Sequence, residues 1–277
     1  MNNAFFPSLV LTGLMLGLTS LAPADPPTVP DSRSDVRVDA RGVPPDVLWA
    51  QRLVAEVPHD RNEYNWSPTY VVWTEDNNGP ARNRSVCSSF VTHVLERAYG
   101  IDVDQIAARF GLKNPQAKDY YTTVVAERGF KRIRRVDDMR PGDIIAVRYP
   151  EGSHPTGHVM IFASAPERQT AEKPIERGTE QYVADVFDSS HSFHGFSDSR
   201  YVEAGKKGHG VGRGPLRLYV RGGEIVGYTW STRKISKYFP ESEHEVAVGR
   251  FDPAPVTASA SPLPESENGD NSEDSHE

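Results

Sequence analysis

Gly157-His158-Val159-Met160-Ile161-Phe162-Ala163 and, after a polar stretch, Tyr182-Val183-Ala184-Asp185-Val186-Phe187-Asp188 are the two runs on which the fold turns. Each is short and rich in β-branched and aromatic residues, and Gly or polar residues bound both, which reads as strand. Paired as an antiparallel hairpin around Ser164 to Gln181, they set Phe162 opposite Ala184, Met160 opposite Val186 and His158 opposite Asp188. Side chains alternate along a strand, so these six residues share one face. An imidazole and a carboxylate then stand side by side at the open end of an apolar ladder. Core packing asks for neither group there.

Working outward, Asp143–Tyr149, Leu216–Arg221, Glu224–Trp230 and Glu245–Phe251 read as further strands, and Arg221-Gly222-Gly223-Glu224 as a tight hairpin turn. The half before Gly129 has a different rhythm. Asp46 is placed to cap a first helix carrying Val47, Leu48, Leu53 and Val54. Ser85 to Tyr99 spaces Val86, Phe90, Val91, Val94, Leu95 and Ala98 at helical intervals and stops at Gly100. Asn114-Pro115 opens a third helix, which Gly129 ends. The aromatic and Asn-rich stretch between Asn62 and Asn83 reads as loop. Helices first and antiparallel strands afterwards predict an α+β fold, N-terminal helices packed on one side of an antiparallel β-sheet.

The chain has 277 residues, 37% hydrophobic and 25% charged, an ordinary globular composition. Ala4 to Leu21 is almost wholly apolar and Ala22-Pro23-Ala24 follows, the pattern of a signal peptide over residues 1–24. Pro7 and the absence of Lys or Arg ahead of the apolar run keep an uncleaved membrane anchor as the competing reading. Residues 25–45 read as a linker, 46–251 as the folded domain, and 252–277 as a disordered acidic tail. The tail holds seven of the 38 acidic residues and no Lys or Arg. The remainder is balanced, 31 acids against 31 bases, without a basic footprint for nucleic acid. The expected location is secreted or periplasmic, and a monomer is expected.

Cys87 is the only cysteine, which excludes an intrachain disulfide. It falls in the first turn of the predicted 85–99 helix, on the stripe of Val91, Val94 and Ala98. A helix N-terminus carries partial positive charge and unpaired amides. Both favour negative charge on the sulfur, and the amides can hold an oxyanion. Alone, a buried thiol serves equally well as a small core residue. Beside His158 and Asp188 it acquires a chemistry: imidazole accepts and returns a proton, and carboxylate fixes the ring and supports its charged form.

Other features divide between function and scaffold. His154, His158, Asp185, Asp188, His191 and His194 are dense enough to raise a metal site. Pro155 and Gly157 forbid reading His154 and His158 as a helical ligand pair, so these histidines are expected at a cleft rim or in solvent. Gly208-His209-Gly210-Val211-Gly212-Arg213-Gly214 lacks the strand-before, helix-after setting of a phosphate loop and reads as a flexible cleft edge. Lys131 to Arg135 reads as a solvated strand edge. Trp66, Trp73 and Tyr70 read as core or as groove lining.

Three stretches together resemble the NlpC/P60 family of cell-wall cysteine peptidases, with the CHAP amidases a near alternative. They are Ser85-Val86-Cys87-Ser88-Ser89-Phe90-Val91, Arg140-Pro141-Gly142-Asp143-Ile144-Ile145, and Gly157-His158-Val159-Met160-Ile161-Phe162. The likeness spans about Leu48 to Asp188. It implies a papain-like core, no cofactor or metal, and hydrolysis of peptide or amide bonds, often in peptidoglycan stem peptides, through a thioester. It makes Cys87 the nucleophile and His158 the base. Asp188 falls where the family usually has a third polar residue, a histidine, and Tyr64 matches the family's substrate-binding tyrosine. Val86 and Ser89 depart from the family's Asp and Gly around the cysteine, which bears on cell-wall specificity. Two rival readings keep the same cleft: a catalytically silent envelope-binding module, and an acyltransferase.

Overall fold

The computed structural model describes residues 42–201 and 208–256. The predicted signal segment, most of the linker and most of the acidic tail lie outside the described residues.

The helical layer begins with α1 (Pro45–Glu56). Pro45 occupies its first position, where a missing N–H costs nothing, and Pro44, not Asp46, is the capping residue. Asp46 turns inward instead and is buried. The segment predicted as loop is ordered: β1 (Asn62–Tyr64), β2 (Tyr70–Val72), α2 (Thr74–Asn77) and β3 (Arg82–Ser85). The three strands form a small sheet in the order β1-β3-β2. Single-sided strands of three or four residues give too little alternation to read. Next comes α3 (Cys87–Tyr99), two residues shorter than predicted because Ser85 belongs to β3 and Val86 is the cap. The Ser89 hydroxyl accepts from the Val86 amide at 3.0 Å, and Gly100 closes the helix in the left-handed conformation.

The sequence reading passed over α4 (Val103–Phe110), although Asp102 accepts from the amides of Asp104 and Gln105 and Gln105 reciprocates, a capping box. The third predicted helix, α5 (Ala117–Val125), is capped at Gln116 rather than Asn114.

The strands are β4 (Phe130–Ile133), β5 (Ile144–Arg148), β6 (Gly157–Phe162), β7 (Glu167–Gln169), β8 (Glu180–Ser190), β9 (Gly210–Arg221), β10 (Glu224–Thr229), β11 (Tyr238–Pro240) and β12 (Glu245–Phe251). They form one nine-stranded sheet, with neighbours in the order β11-β10-β9-β8-β6-β5-β12-β4 and β7 added beside β8. All its pairings are antiparallel. The turn between β9 and β10 is the predicted one, with Gly222 and Gly223 both at positive φ.

Each face of this sheet carries a core. On one, α1, α3 and α5 cover Ile144, Ala146, Val159, Ile161 and Phe187. The other face is not left to solvent. The sheet curls until Arg135, just past β4, bridges to Glu224 at the start of β10, and the Val136 amide donates to the Gly223 carbonyl at 2.9 Å. That curl encloses Ile145, Val147, Met160, Phe162, Val186, Leu216 and Leu218. The molecule is therefore mixed α+β, a helical layer outside a rolled antiparallel sheet.

Candidate functional site

The Pro141-Gly142-Asp143 turn sets the entry to β5. Gly142 has φ +88°, and a Cβ there would press on Pro44 and on the Asp46 carboxylate at 3.0 Å. Its amide donates to the Phe162 carbonyl, and Phe162 donates back to the Asp143 carbonyl, so the turn clamps the far end of β6. At the near end, Gly157 lies opposite Arg148, where a Cβ would run into the Val147 carbonyl oxygen. The glycine before His158 lets β5 and β6 close up and fixes where His158 begins.

The register between β6 and β8 differs from the predicted one by two residues. Ile161 pairs with Phe187 and Phe162 with Val186. The reason lies at Ala163 and Ser164, whose amides both reach the Asp185 carbonyl (2.8 and 3.3 Å), an irregularity before β7 takes over the pairing. A slip of two preserves the face, so His158 and Asp188 still point together. The His158 Nε2 lies 2.7 Å from Asp188 Oδ2.

Cys87 belongs to the core between helices and sheet, whereas the side chains sharing His158's face look into the rolled sheet. The two residues meet at the rim because each opens its element. The Cys87 sulfur lies near enough to the His158 ring to act on its charge, and with Nε2 turned to Asp188, Nδ1 is the nitrogen left to face it. Burial alone would push the His158 ring down. The Coulombic effect of the nearby Cys87 sulfur and then the hydrogen bond to Asp188 outweigh burial, and raise it to about 10.

Asp188 is fully buried. Burial would raise its carboxyl, but the Arg200 guanidinium, His194 and His158 hold it well below the usual carboxylate range. Oδ2 takes both imidazoles, His194 Nε2 at 3.1 Å, and Oδ1 faces Arg200 Nη2 at 2.8 Å. Arg200 in turn grips Asp198 through Nε and Nη2 at 2.9 and 2.7 Å, and Asp198 receives the His194 amide at 2.7 Å. The expectation that His194 is a rim or solvated residue is thus corrected: it is buried, because Asp188 and Asp198 pull the 191–201 segment over the end of the sheet.

The glycine-rich run is likewise not a flexible edge. Gly210 to Gly214 form the start of β9, with Gly212 opposite Asp188 and Gly214 opposite Val186. A Cβ at Gly212 would strike the Arg200 side chain, and one at Gly214 would strike Asp198 and the Cβ of His194. Gly210 makes the same room for Asn62, whose side chain exchanges hydrogen bonds with Val211 at 2.8 Å each way. Sequence reasoning missed Asp198 and Arg200 altogether. The available signal was the alternation of Gly210, Gly212 and Gly214, which marks one bare strand face awaiting bulky neighbours.

Tyr64, the predicted substrate-binding residue, ends β1 level with Ser85 on β3, two residues before Cys87. Its ring lies 4.7 Å from His191, and its amide donates to His209 Nδ1 at 3.1 Å. Burial, then the charges of Cys87 and Asp188, push its phenol above the usual range. Trp66 next to it is 59% exposed, whereas Trp73 is buried core. Trp230 stands edge-on to the His158 ring at 4.9 Å, a further neighbour the sequence reading did not single out. Among the described residues no group of His, Cys, Asp or Glu is arranged to hold a metal ion. No helix among them is long and apolar enough to cross a membrane.

No family model matches the sequence. No solved structure matches the chain. A viral protein does match, 32% identical over 226 residues that cover 76% of this chain and 97% of the other. At that identity and coverage, the chain belongs to the same family as the "Uncharacterized protein R653" of Acanthamoeba polyphaga mimivirus.

Proposed function

We propose that the chain is an exported cysteine hydrolase that cleaves peptide or amide bonds through a thioester. The observation that carries this reading is the line Cys87–His158–Asp188, a sulfur beside an imidazole whose Nε2 lies 2.7 Å from a buried carboxylate. The export part rests on the apolar N-terminal run alone. A nucleophile at a helix start, a base at a strand start and a helical layer against a curled antiparallel sheet are what a papain-like domain of the NlpC/P60 type requires. Peptidoglycan stem peptides are the first substrates to try.

In the reaction, Cys87 Sγ attacks the scissile carbonyl carbon and a C–S bond forms. The carbonyl oxygen gains charge beside the Cys87 amide, which belongs to a helix turn whose amides lack intrahelical partners. His158 passes its proton to the leaving nitrogen as the C–N bond breaks. Water then gives a proton to His158 and attacks the thioester; the C–S bond breaks, and the acid product leaves. Asp188 holds the ring so that one nitrogen faces the sulfur throughout.

The lone cysteine makes the test direct. Iodoacetamide at mildly acidic pH should label Cys87 far faster than it labels glutathione. Cys87→Ala should abolish both labelling and release of amine from muropeptide and peptide mixtures. Native protein that labels no faster than glutathione, or a Cys87→Ala variant that still hydrolyses, would remove the hydrolase reading. Incorporation of 18O from labelled water into the new carboxylate separates hydrolysis from transfer to another acceptor.

A further inference from the structure

Asp188 takes hydrogen bonds from His158 and His194 at Oδ2 and an ion-pair contact from Arg200 at Oδ1, and no sequence motif foretold Arg200. Its guanidinium is buried and lies between two carboxylates, Asp188 and Asp198. A third contact, Nη1 to the Gly210 carbonyl at 3.1 Å, pins it to the start of β9. The space it fills exists only because Gly212, directly opposite Asp188, has no side chain. A desolvated guanidinium held between two carboxylates, in a slot cut for it, is a costly arrangement. It lies one carboxylate away from the His158 ring.

We propose that Arg200 is a positioning residue for the reaction, fixing Asp188 through Oδ1 so that Oδ2 faces His158 and tempering the pull of that carboxylate on the ring's proton. The inference rests on the hydrolase reading above. An uncompensated carboxylate against an imidazolium holds its proton strongly, whereas turnover needs that proton to reach the leaving nitrogen. Sharing Asp188 among Arg200, His194 and His158 weakens its hold on any one of them. The groups that face this carboxylate and ring are His158 from β6, Cys87 from α3, Tyr64 from β1, Tyr149 after β5, and His194, Arg200 and, through Arg200, Asp198 from the 191–201 segment. Among them Arg200 is the one cation that meets Asp188 at Oδ1.

The test is the pH profile of Cys87 alkylation by iodoacetate, an anion that reacts best while the thiolate sits beside an imidazolium. Its descending limb reports loss of the His158 proton. Two variants perturb Arg200 differently. Arg200→Met removes the charge, and Gly212→Ala keeps every charge but drives a methyl group into the Arg200 side chain. Each variant is first checked by circular dichroism for the native fold. The expected result is a descending limb about one pH unit higher in either folded variant, a lower kcat with little change in KM on whatever substrate the native enzyme cleaves, and a limb restored toward the native position by Arg200→Lys. If Arg200→Met does not fold, Gly212→Ala still decides. A limb that stays at the native position, or moves down, in a folded variant overturns the proposal. Native protein whose Cys87 labels no faster than glutathione defeats the hydrolase reading itself, a different result from an unmoved limb in a reactive enzyme.

Discussion

His158 opens a strand and Cys87 opens a helix, and the reactivity proposed for them follows from what each lies against. His158 is held charged by the Cys87 sulfur and Asp188, to about 10. A folded-state value above the unfolded 6.5 means that folding favours the protonated ring. The stabilisation is complete below pH 6.5 and is lost as pH rises through about 10. Hydrolysis should therefore persist across neutral pH and fall on the alkaline side, and a kcat/KM profile on a neutral peptide would check this. Asp188→Asn keeps the shape but not the charge, and should lower kcat by roughly 10²- to 10⁴-fold with KM little altered, measured by initial rates. The thiol, the base and the carboxylate were all legible as residues because each is chemically distinctive. Arg200 and Asp198 were not, since a surface arginine and a buried one look alike until the slot at Gly212 is seen.

Among the elements, the β5–β6 pair carries the site. Gly157 permits β6 to lie against the Val147 carbonyl, so Gly157→Ala must part the two strands or shift β6. The expected cost is about 2–4 kcal/mol, as for other severe backbone clashes, seen as a lowered urea midpoint. Residual folded protein should also label poorly at Cys87, because His158 moves with the strand. Strand identity was readable from alternation, and β12 falls at the residues expected, Glu245–Phe251. Register was harder. Parity survived because core packing enforces it, but the two-residue shift came from the doubled contact at Asp185, a backbone event without a side-chain signal. The small sheet of β1, β2 and β3 stayed hidden for a related reason, since strands of three or four residues hardly alternate.

Across the whole molecule, the sheet's curl replaces the exposed face that an α+β sandwich would have. Sequence signalled two kinds of element and one apolar face against helices, but closure through Arg135 and Glu224 is a long-range pairing that no local pattern encodes. The helical layer is seated on the sheet partly through Asp46, whose burial raises its carboxyl to about 7 despite the hydrogen bond from the Val47 amide and the nearby Tyr99 hydroxyl. For an acid raised in the folded state, the folded form binds the extra proton between about pH 4 and 7. Stability then falls as pH rises through that window and the penalty is complete above it. Asp46→Asn keeps the contact with the Val47 amide without the charge. It should raise the melting temperature more at pH 8 than at pH 5, which differential scanning calorimetry would show. Arg109 adds a tie at the other end of the domain, donating to the carbonyls of Asp252 and Ala254, so the chain stays anchored a few residues into the predicted tail.

The sulfur rides with one packed core and the imidazole with the other, so the proposed catalysis would depend on two bodies of side chains keeping step. Warming or mild urea that lets the helical layer drift against the rolled sheet would separate the reacting atoms while both bodies still hold their secondary structure. Silence of the thiol should then precede melting, and the gap between the two transitions would measure how firmly the halves are joined.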